Sequence, residues 1–246
     1  MEKTKQKLSL NVCLPVYNEE EDLERGVITL TTYLSEHLAD YEWTVTIADN
    51  ASTDKTFEIA QKLAKRYGQV QVLHFAKRGR GMAVKQAWKE CRSDIVAYMD
   101  VDLSTDLKHF GPLVQSLGRG YDIAIGSRNA RGARVYGRSL LRTITSKAYI
   151  FLIKCFFFVH FSDAQCGFKA MTRKMVDVLI PNIVDNEWFF DTELLVLAEK
   201  RGFRIYEEPV TWVDNPGSTV RVWKTAHGDI AGLWRLFLTR PWRKTA

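Results

Sequence analysis

Two aspartates, Asp100 and Asp102, stand one residue apart at the end of an apolar run, DIVAYMDVDL (94–103). Carboxylates that leave a buried strand are costly unless they bind a cation or accept hydrogen bonds. Hard divalent cations prefer oxygen ligands, and substrate phosphates often complete their coordination sphere. The pair therefore predicts a divalent-cation site, although two acids that simply begin a loop would give the same short pattern.

Other polar side chains follow neighbouring strand patterns. Asp49 ends WTVTIADN (43–50), and Tyr17 and Glu19 come at or just after the end of LSLNVCLPVY (8–17). In an open α/β sheet, ligands bind beyond the carboxyl ends of the strands, so these groups are expected to line one edge together with the aspartate pair. Asp49 could accept a hydrogen bond from a base or a ribose. Helix capping is the alternative reading of this polar loop.

A basic segment, KRGRG (77–81), follows the third strand pattern and opens a helical one. Backbone amides at a helix start, with cations nearby, favour a phosphate group. A solvated basic turn would look the same. No GxxxxGK[ST] motif occurs and no GxGxxG follows the first strand, which removes the main support for an ATPase or a dinucleotide-dependent dehydrogenase.

The elements that position these residues alternate in the first half of the chain. Strand patterns lie at 8–17, 43–50, 69–76, 94–103 and 122–128, and helical periodicity lies between several of them. This alternation predicts an α/β fold, with a mostly parallel sheet and helices on both faces. We expect Asn18 to cap the first helix, with acidic residues in its first turn, and the 52–54 segment to cap the second.

The pattern changes after about residue 130. A long helix is predicted over 137–161, followed by a strand at 165–172, a helix at 190–200, a strand at 203–213 and a terminal helix at 223–239. No linker divides the chain. We therefore expect one α/β domain over 1–220, and an amphipathic helix over 221–246 that packs on the domain or lies at a membrane interface.

Composition sets wider limits. The 246 residues have a formal net charge of +6, which suits an anionic partner, and 46% are hydrophobic, which is typical of a globular chain. The four cysteines, with no CxxC, argue against a zinc knuckle or a disulfide scaffold. We expect neither a signal peptide nor a membrane-spanning helix. A nucleic-acid-binding protein remains an alternative, but no recognised binding motif supports it, and we expect no nucleic-acid partner.

Several segments, taken together and in order, resemble family 2 nucleotide-sugar glycosyltransferases of the GT-A fold. Within that family the chain is most similar to polyprenyl-phosphate sugar synthases, particularly dolichyl-phosphate glucosyltransferases and their mannose relatives. The matching segments are LPVYNEE (14–20), ADNASTDKT (48–56), RGRGMAVKQAW (78–88), DVDLSTD (100–106), AIGSR (124–128), QCGFKAMT (165–172), DTELLVLAEKRGFRIYEEPV (191–210) and NPGS (215–218).

The resemblance implies roles for matching residues. A nucleotide sugar, UDP-glucose or GDP-mannose, is expected to contact residues from several strand ends: Pro15, Tyr17, Glu19, Asp49, Lys77, Asp100, Asp102 and Arg221. Mg²⁺ or Mn²⁺ is expected between the diphosphate and Asp100 and Asp102. The acceptor phosphate is expected at Arg128, Arg138 and Arg142. The turn at 217–219 reads Gly-Ser-Thr and lacks a lysine that the synthases often have, so Arg221 or Lys224 is expected to substitute.

The chemistry follows from the acceptor. We expect Asp102 and Asp191 to be the catalytic residues of an inverting hexosyltransferase, with glucose favoured and mannose next. A hydroxyl acceptor needs a general base, whereas a phosphomonoester is already largely dianionic at neutral pH and needs positive charge to place it. A glycan hydroxyl acceptor, with Asp191 as base, therefore stays open as an alternative. A non-catalytic sugar-nucleotide binder is a weaker one.

A polyprenyl acceptor lies in a bilayer, either as dolichyl or as undecaprenyl phosphate. The apolar run AYIFLIKCFFFVHF (148–161) is too short to span a membrane and predicts an interfacial helix, with a buried core helix as the alternative. Trp234 and Trp242 stand among basic residues near the chain end, a mixture that favours the headgroup region. We expect peripheral contact with the cytosolic face of a membrane. One interfacial helix binds weakly, so a membrane-anchored partner protein would suit this arrangement.

Overall fold

A twisted sheet of seven strands organises the chain in the computed structural model, which describes residues 7–214 and 222–243 and the side chains of 7–214 and 227–243. The strand order is β3-β2-β1-β4-β7-β5-β8, and β6 and β9 form a separate small sheet. The strands are β1 (Ser9–Val16), β2 (Glu42–Asn50), β3 (Val70–Phe75), β4 (Ile95–Met99), β5 (Ile123–Ser127), β6 (Arg134–Tyr136), β7 (Phe168–Thr172), β8 (Ile205–Pro209) and β9 (Thr211–Val213).

Helices cover both faces of the large sheet, as predicted. They are α1 (Leu23–His37), α2 (Thr56–Arg66), α3 (Arg80–Glu90), α4 (Phe110–Gly118), α5 (Leu140–Phe157), α6 (Arg173–Leu179), α7 (Phe190–Lys200) and α8 (Val222–Thr239). One core packs α1, α2 and α4 against the sheet, and the other packs α3, α5, α6, α7 and α8. Burial of these apolar faces is the main contribution to the stability of such a layered fold.

The sheet is mostly parallel, and β7 is its exception. It runs antiparallel to both neighbours, β4 and β5. Its first residue, Phe168, therefore pairs with Met99, the last residue of β4. As a result, the segment that enters β7 lies at the carboxyl edge of the sheet, beside the aspartates that follow β4. The antiparallel strand thus supplies site residues that a parallel strand would carry to the opposite edge.

The predicted cap at Asn18 is wrong. Helix α1 begins at Leu23, and Asn18 has a left-handed backbone (φ 55). Its side-chain oxygen instead accepts a hydrogen bond from the backbone N–H of Thr53 at 2.8 Å, and the N–H of Glu19 donates to Thr56 Oγ1 at 2.7 Å. The acidic segment therefore links the loops after β1 and β2. The predicted cap of α2 is closer to the structure, since Asp54 accepts from the N–H of Thr56.

The later elements differ in extent from the prediction. The strand expected over 203–213 is two strands in different sheets, β8 and β9, and the helix expected over 137–161 is limited to α5. Helix α5 starts after Ser139, which caps it, and ends at Phe158, which has a left-handed backbone (φ 51). Helices α4 and α6 were not predicted, because nine and seven residues give too few turns for a clear periodic pattern.

Within the described part of the chain, no helix is both long enough and apolar enough to cross a membrane.

Candidate active site

The aspartate pair lies where β4 ends, at the carboxyl edge of the sheet. Asp100 Oδ1 accepts a hydrogen bond from Arg80 Nη2 at 2.7 Å. Asp102 accepts from the backbone N–H of Ser104 at 3.0 Å and from Ser104 Oγ at 2.6 Å. These bonds fix the two carboxylates on a short turn whose backbone is also held by the Asp100 N–H, which donates to the Gly167 carbonyl at 3.1 Å.

Gly167 makes room for Asp100. A Cβ built at this position would lie 2.0 Å from Asp100 Oδ2 and 2.5 Å from its Cγ. Atoms cannot approach so closely, so any side chain here would push the carboxylate away from its present place. The glycine comes to this position because β7 is antiparallel to β4.

Glu19 adds a third carboxyl group beside the pair. Its pKa is raised to about 7, first because the side chain is partly buried, and then because Asp102, Asp22 and Asp100 repel its negative charge. Among the described side chains, those of residues 7–214 and 227–243, no group of three or more His, Cys, Asp or Glu is arranged for a metal ion. Two carboxylates fit a Mg²⁺ or Mn²⁺ ion that takes its other oxygen ligands from a diphosphate and water.

Arg80 joins the aspartate pair to Asp191. Its guanidinium donates to Asp100 and, through Nη1 at 3.0 Å, to Asp191 Oδ2. The rings of Tyr98 and Trp188 lie 5.1 and 4.9 Å from it, within the range of cation–π contact. Burial disfavours the charge on Arg80, but the two carboxylates outweigh it and hold the pKa well above its usual value. Arg80 belongs to the predicted basic segment, but its contacts with these acids were missed.

Asp191, at the start of α7, is buried and bound on every side. Its second oxygen, Oδ1, accepts a short hydrogen bond from Tyr98 and lies 2.9 Å from Lys169 Nζ. Lys169 is itself only 1% exposed, and it also donates to the Cys166 carbonyl. The carboxylate is therefore shared among Arg80, Lys169 and Tyr98. Both carboxylate oxygens are already engaged by these partners, which leaves neither of them free to contact an acceptor hydroxyl and argues against a general-base role.

Asp49 lies at the end of β2 with no exposed surface. Its Oδ2 lies 2.6 Å from His74 Nδ1, on the neighbouring strand β3, and the ring of His74 packs on Phe57 at 4.4 Å. Its Oδ1 has no hydrogen-bond partner among the described residues. A buried carboxylate oxygen with a free lone pair suits a donor such as a base N–H. The contact with His74 was not predicted, since β-strand register pairs residues that are 25 positions apart.

The remaining nucleotide-side residues surround this edge. Tyr17 lies under the guanidinium of Arg78, 3.7 Å from its ring centre, and Pro15 is half-buried in β1. Lys77 is exposed, and none of the contacts of the described residues involves its side chain. Arg221 and the turn at 217–219 lie outside the described residues, and so does the side chain of Lys224. Their expected roles stay predictions.

Two of the three predicted phosphate-binding arginines lie beside the ring of Trp212. Arg128 and Arg138 lie 5.4 and 5.9 Å from its ring centre. Arg128 forms a bidentate pair with buried Asp163, at 2.7 and 2.9 Å, and Arg142 Nη1 contacts both oxygens of Asp214, at 2.5 and 2.7 Å. Two of the three charges thus have a carboxylate partner, and sequence pattern alone did not indicate either pairing.

Arg138 differs from its two neighbours. Its buried Nε has no hydrogen-bond partner within residues 7–214 and 227–243. Its pKa is lowered, first by burial and then by repulsion from Arg128 and Arg142. A guanidinium that is desolvated next to two like charges gains most from an added anion. An acceptor phosphate bound here would reduce the repulsion among the three arginines.

Apolar side chains are exposed on two adjacent helices, α5 and α8. On α5 they include Leu141, Ile144 and Phe151, which are 55–65% exposed, whereas only Ile153 and Phe157 are buried. On α8 the opposite face packs inward through Leu233 and Leu236, and the outward side chains are Ile230, Trp234 and Leu238. A buried core helix is therefore not a complete description of α5.

An α/β protein with two strand-end carboxylates beside a basic, partly apolar surface has the features of a nucleotide-sugar transferase. Residues 11–180 match the family model described as glycosyl transferase family 2. The chain belongs to glycosyltransferase family 2, and the expected family is confirmed.

Curated relatives include the glycosyltransferase AglD of Haloferax volcanii, which is 36% identical over 97% of this chain and 38% of the relative. The dolichyl-phosphate beta-glucosyltransferase of Drosophila melanogaster is 30% identical over 96% of this chain and 77% of its own length. The chain thus spans less than half of the first of these relatives.

Solved structures share the fold at low identity. The glucosyl-3-phosphoglycerate synthase of Mycobacterium tuberculosis, in complex with Mn²⁺, UDP-glucose and phosphoglyceric acid, has a TM-score of 0.68 and 18% identity, covering 94% of this chain and 80% of that one. A mannosyltransferase of Pyrobaculum calidifontis, in complex with GDP-mannose and Mn²⁺, has a TM-score of 0.62 and 15% identity, over 95% and 65% of the two chains. The GT-A fold that the sequence predicted agrees with these likenesses.

Proposed function

We propose that the protein is an inverting glucosyltransferase that transfers glucose from UDP-glucose to a polyprenyl phosphate. The name of the Drosophila relative supports the glucose and the lipid phosphate. The observation that carries the acceptor class is the state of Asp191, which is held by Arg80, Tyr98 and Lys169. A site without an available carboxylate base suits an acceptor that arrives already ionised.

The donor side consists of groups that fit a nucleoside diphosphate. Asp49 offers its unpartnered oxygen to the base, and Arg78 on Tyr17 adds a flat cationic surface beside it. A Mg²⁺ or Mn²⁺ ion held by Asp100 and Asp102 would neutralise the charge that grows on the departing diphosphate. Arg80 keeps Asp100 oriented toward this place through its 2.7 Å hydrogen bond.

The acceptor side is cationic. Arg128, Arg138 and Arg142 are the groups that would hold the lipid phosphate, and Arg138 has the donor capacity left for it. Orientation of one phosphate oxygen toward the sugar is then the main catalytic contribution of the protein, since ordered reactants avoid much of the entropic cost of meeting.

The bilayer position is part of the proposal. The exposed apolar side chains of α5 and α8 suit contact with the interface of a membrane on its cytosolic face. A domain over 1–220, with the helix over 221–246 lying at that interface, agrees with the packing of Leu233 and Leu236 into the core. A membrane-anchored partner protein would strengthen an attachment that two interfacial helices give weakly.

The test measures release of UDP or GDP by the purified chain from UDP-glucose or GDP-mannose, with Mn²⁺ or Mg²⁺, with and without farnesyl phosphate. We expect metal-dependent UDP release that requires the lipid phosphate, and Arg138→Gln should reduce it more than tenfold. The exposed arginine Arg66, on α2, gives the control variant Arg66→Gln. Release of GDP instead would identify mannose as the transferred sugar. Release that does not depend on farnesyl phosphate but requires a glycan hydroxyl would overturn the proposed polyprenyl-phosphate acceptor.

A further inference from the structure

A groove of about 460 Å³ lies between the segment after β5 and helix α5. Its size is within the range of roughly 300–1,000 Å³ that is typical of small-molecule sites. Arg128 is one of the predicted phosphate-binding arginines and Phe151 belongs to the exposed apolar surface of α5, but no role has been assigned to the other lining residues. The side chains and backbone that line it are those of Arg128, Asn129, Ala130, Ala133, Lys147, Ile150, Phe151, Lys154 and Ser162.

The groove is cationic and contains no carboxylate in its lining. Lys147 and Lys154 stand seven residues apart, two turns of α5, so both face the same side of the helix. Neither lysine forms an ion pair with any residue that the structure describes. Arg128, the third cation, is already paired with Asp163 at 2.7 Å. Two uncompensated ammonium groups beside one cavity favour an anionic ligand.

The same groove has an apolar side. Ile150 and Phe151 lie between the two lysines along α5, and Phe151 is 65% exposed. Leu152 adjoins them and Ile144 lies about two turns earlier on the helix; these side chains are 40% and 55% exposed. The groove therefore leads from polar groups to the exposed apolar surface of α5. An inorganic anion would leave that apolar side unused.

The polar end of the groove lies toward the reaction site. Arg128 directly follows β5, and β5 pairs with β7, which begins one residue after Gly167, the glycine that lies beside Asp100. A ligand in the groove can thus have its anionic end at the carboxyl edge of the sheet, where Asp100 also lies, and its apolar end at the surface of α5.

We propose that this groove binds the phosphate-proximal isoprene units of the acceptor lipid, which pass over Ile150 and Phe151, while Lys147 and Lys154 attract its phosphomonoester. The inference rests on the proposed function and specifies the path of its acceptor. The phosphate passes the two lysines before it reaches Arg138, and the rest of the polyprenyl chain of the lipid extends along α5 into the bilayer. The lysines therefore set affinity and the apolar side selects a lipid phosphate over a soluble one.

Direct binding to the purified chain tests the groove without turnover. Titration calorimetry with farnesyl phosphate and with inorganic phosphate compares the parent with Lys147→Gln, Lys154→Gln and Phe151→Ser. We expect each lysine variant to bind farnesyl phosphate about tenfold more weakly than the parent, and to bind inorganic phosphate more weakly as well. Phe151→Ser should bind farnesyl phosphate about tenfold more weakly than the parent and should bind inorganic phosphate with unchanged affinity. Lys65→Gln on α2 and Leu8→Ser before β1 are the matched exposed controls, and they should behave like the parent.

The remaining outcomes separate the groove from the reaction. If the parent transfers glucose to farnesyl phosphate and the groove variants bind it normally, the groove inference is overturned and the proposed function stands. Weaker binding in these variants, in a parent that transfers no sugar, would retain the groove as a lipid-phosphate site and refute the function. A third measurement uses anionic vesicles that contain no polyprenyl phosphate. If the lysine variants bind these vesicles more weakly but bind farnesyl phosphate normally, the lysines contact bulk headgroups and the inference is overturned. Failure of the parent to bind farnesyl phosphate would also overturn it.

Discussion

The proposed donor edge and the proposed acceptor surface of this molecule are built in opposite ways. At the donor edge, which comprises Asp49, Asp100 and Asp191, each carboxylate has fixed partners, and Asp49 and Asp191 are at most 2% exposed. On the acceptor surface, which comprises the arginines around Trp212 and helix α5, cations are partly unpaired and Leu141 and Phe151 are 65% exposed.

The difference indicates where each partner of the reaction comes from. Fixed dipoles and charges reduce the reorganisation that accompanies charge development, so they belong where the diphosphate leaves. Exposed apolar surface next to unpaired cations is typical of an interaction surface, and a lipid with an anionic headgroup has the matching chemistry. The following substitutions test this difference between the two regions, beginning with the one that has the largest expected effect.

Asp102→Asn should lower kcat by about 10² to 10³, because it removes negative charge from the predicted metal site. Asp191→Asn should lower kcat less, since its carboxylate is already shared among Arg80, Tyr98 and Lys169, and its cost should fall mainly on stability. Steady-state UDP release and urea denaturation of both variants check this ranking. Asp177→Asn, on α6 with a side chain that is 67% exposed, is the control. An equal loss of kcat in Asp191→Asn, with donor affinity unchanged, would favour a base and a hydroxyl acceptor.

Gly167→Ala should displace Asp100 without changing any charge. The added Cβ would lie 2.0 Å from Asp100 Oδ2, so the carboxylate must move, and a shift near 1 Å can lower turnover by about 10²-fold. Titration with Mn²⁺, followed by the paramagnetic resonance of the free ion, should show weaker binding. Gly118→Ala at the end of α4 has open space around the new methyl group and should bind Mn²⁺ like the parent. Normal Mn²⁺ affinity in Gly167→Ala would remove Asp100 from the metal site.

Local patterns predicted much of the donor edge. The strand ends at Asp49, Asp100 and Tyr17 follow from apolar runs of five to nine residues, and a parallel sheet brings such ends together. Alternation of strands and helices likewise predicted the layers of the fold. These features depend on neighbours in sequence, which is why a single chain was sufficient to predict them.

The contacts that complete the site are not local. Arg80 reaches acids 20 and 111 positions away, and Asp163 pairs with Arg128 across 35 positions. The antiparallel insertion of β7 determines where Lys169 and Gly167 lie, and a strand of five residues carries no signal of its direction. Periodicity also predicted that α5 is apolar, but the exposure of its outer side depends on which helices pack against it.

Asp229→Asn should change how stability depends on pH. Asp229 on α8 is 6% exposed and accepts from Gln165 Nε2 at 2.9 Å, and its pKa is raised to about 7, first by burial and then by Asp185 and Asp191. Because the folded protein holds this proton more tightly than the unfolded chain, the parent should lose stability as pH rises from about 4 to 7.

Asn carries no charge, so the variant should lack this contribution. Relative to the parent, it should gain roughly 2–4 kcal/mol in free energy of unfolding between pH 5 and pH 8. Urea denaturation at the two pH values measures the difference. Asp177→Asn, whose side chain is 67% exposed in the parent, should leave the pH dependence unchanged. If Asp229→Asn keeps the slope of the parent, α8 is not attached to the domain through a protonated carboxyl.

The smallest effect on stability is expected for the outer side of α5. Ile144 and Ile153 lie on the same helix, but Ile144 is 55% exposed and Ile153 is fully buried. Ile153→Ala should cost about 2–5 kcal/mol in free energy of unfolding, because it leaves a cavity in the core. Ile144→Ala should change stability by less than about 0.5 kcal/mol. Ile144→Ala should nevertheless weaken binding to lipid vesicles, as measured by co-sedimentation. Because the variant stays folded, loss of stability cannot explain the weaker binding. If both variants lose the same stability, α5 is packed on all sides and the acceptor surface is protein core.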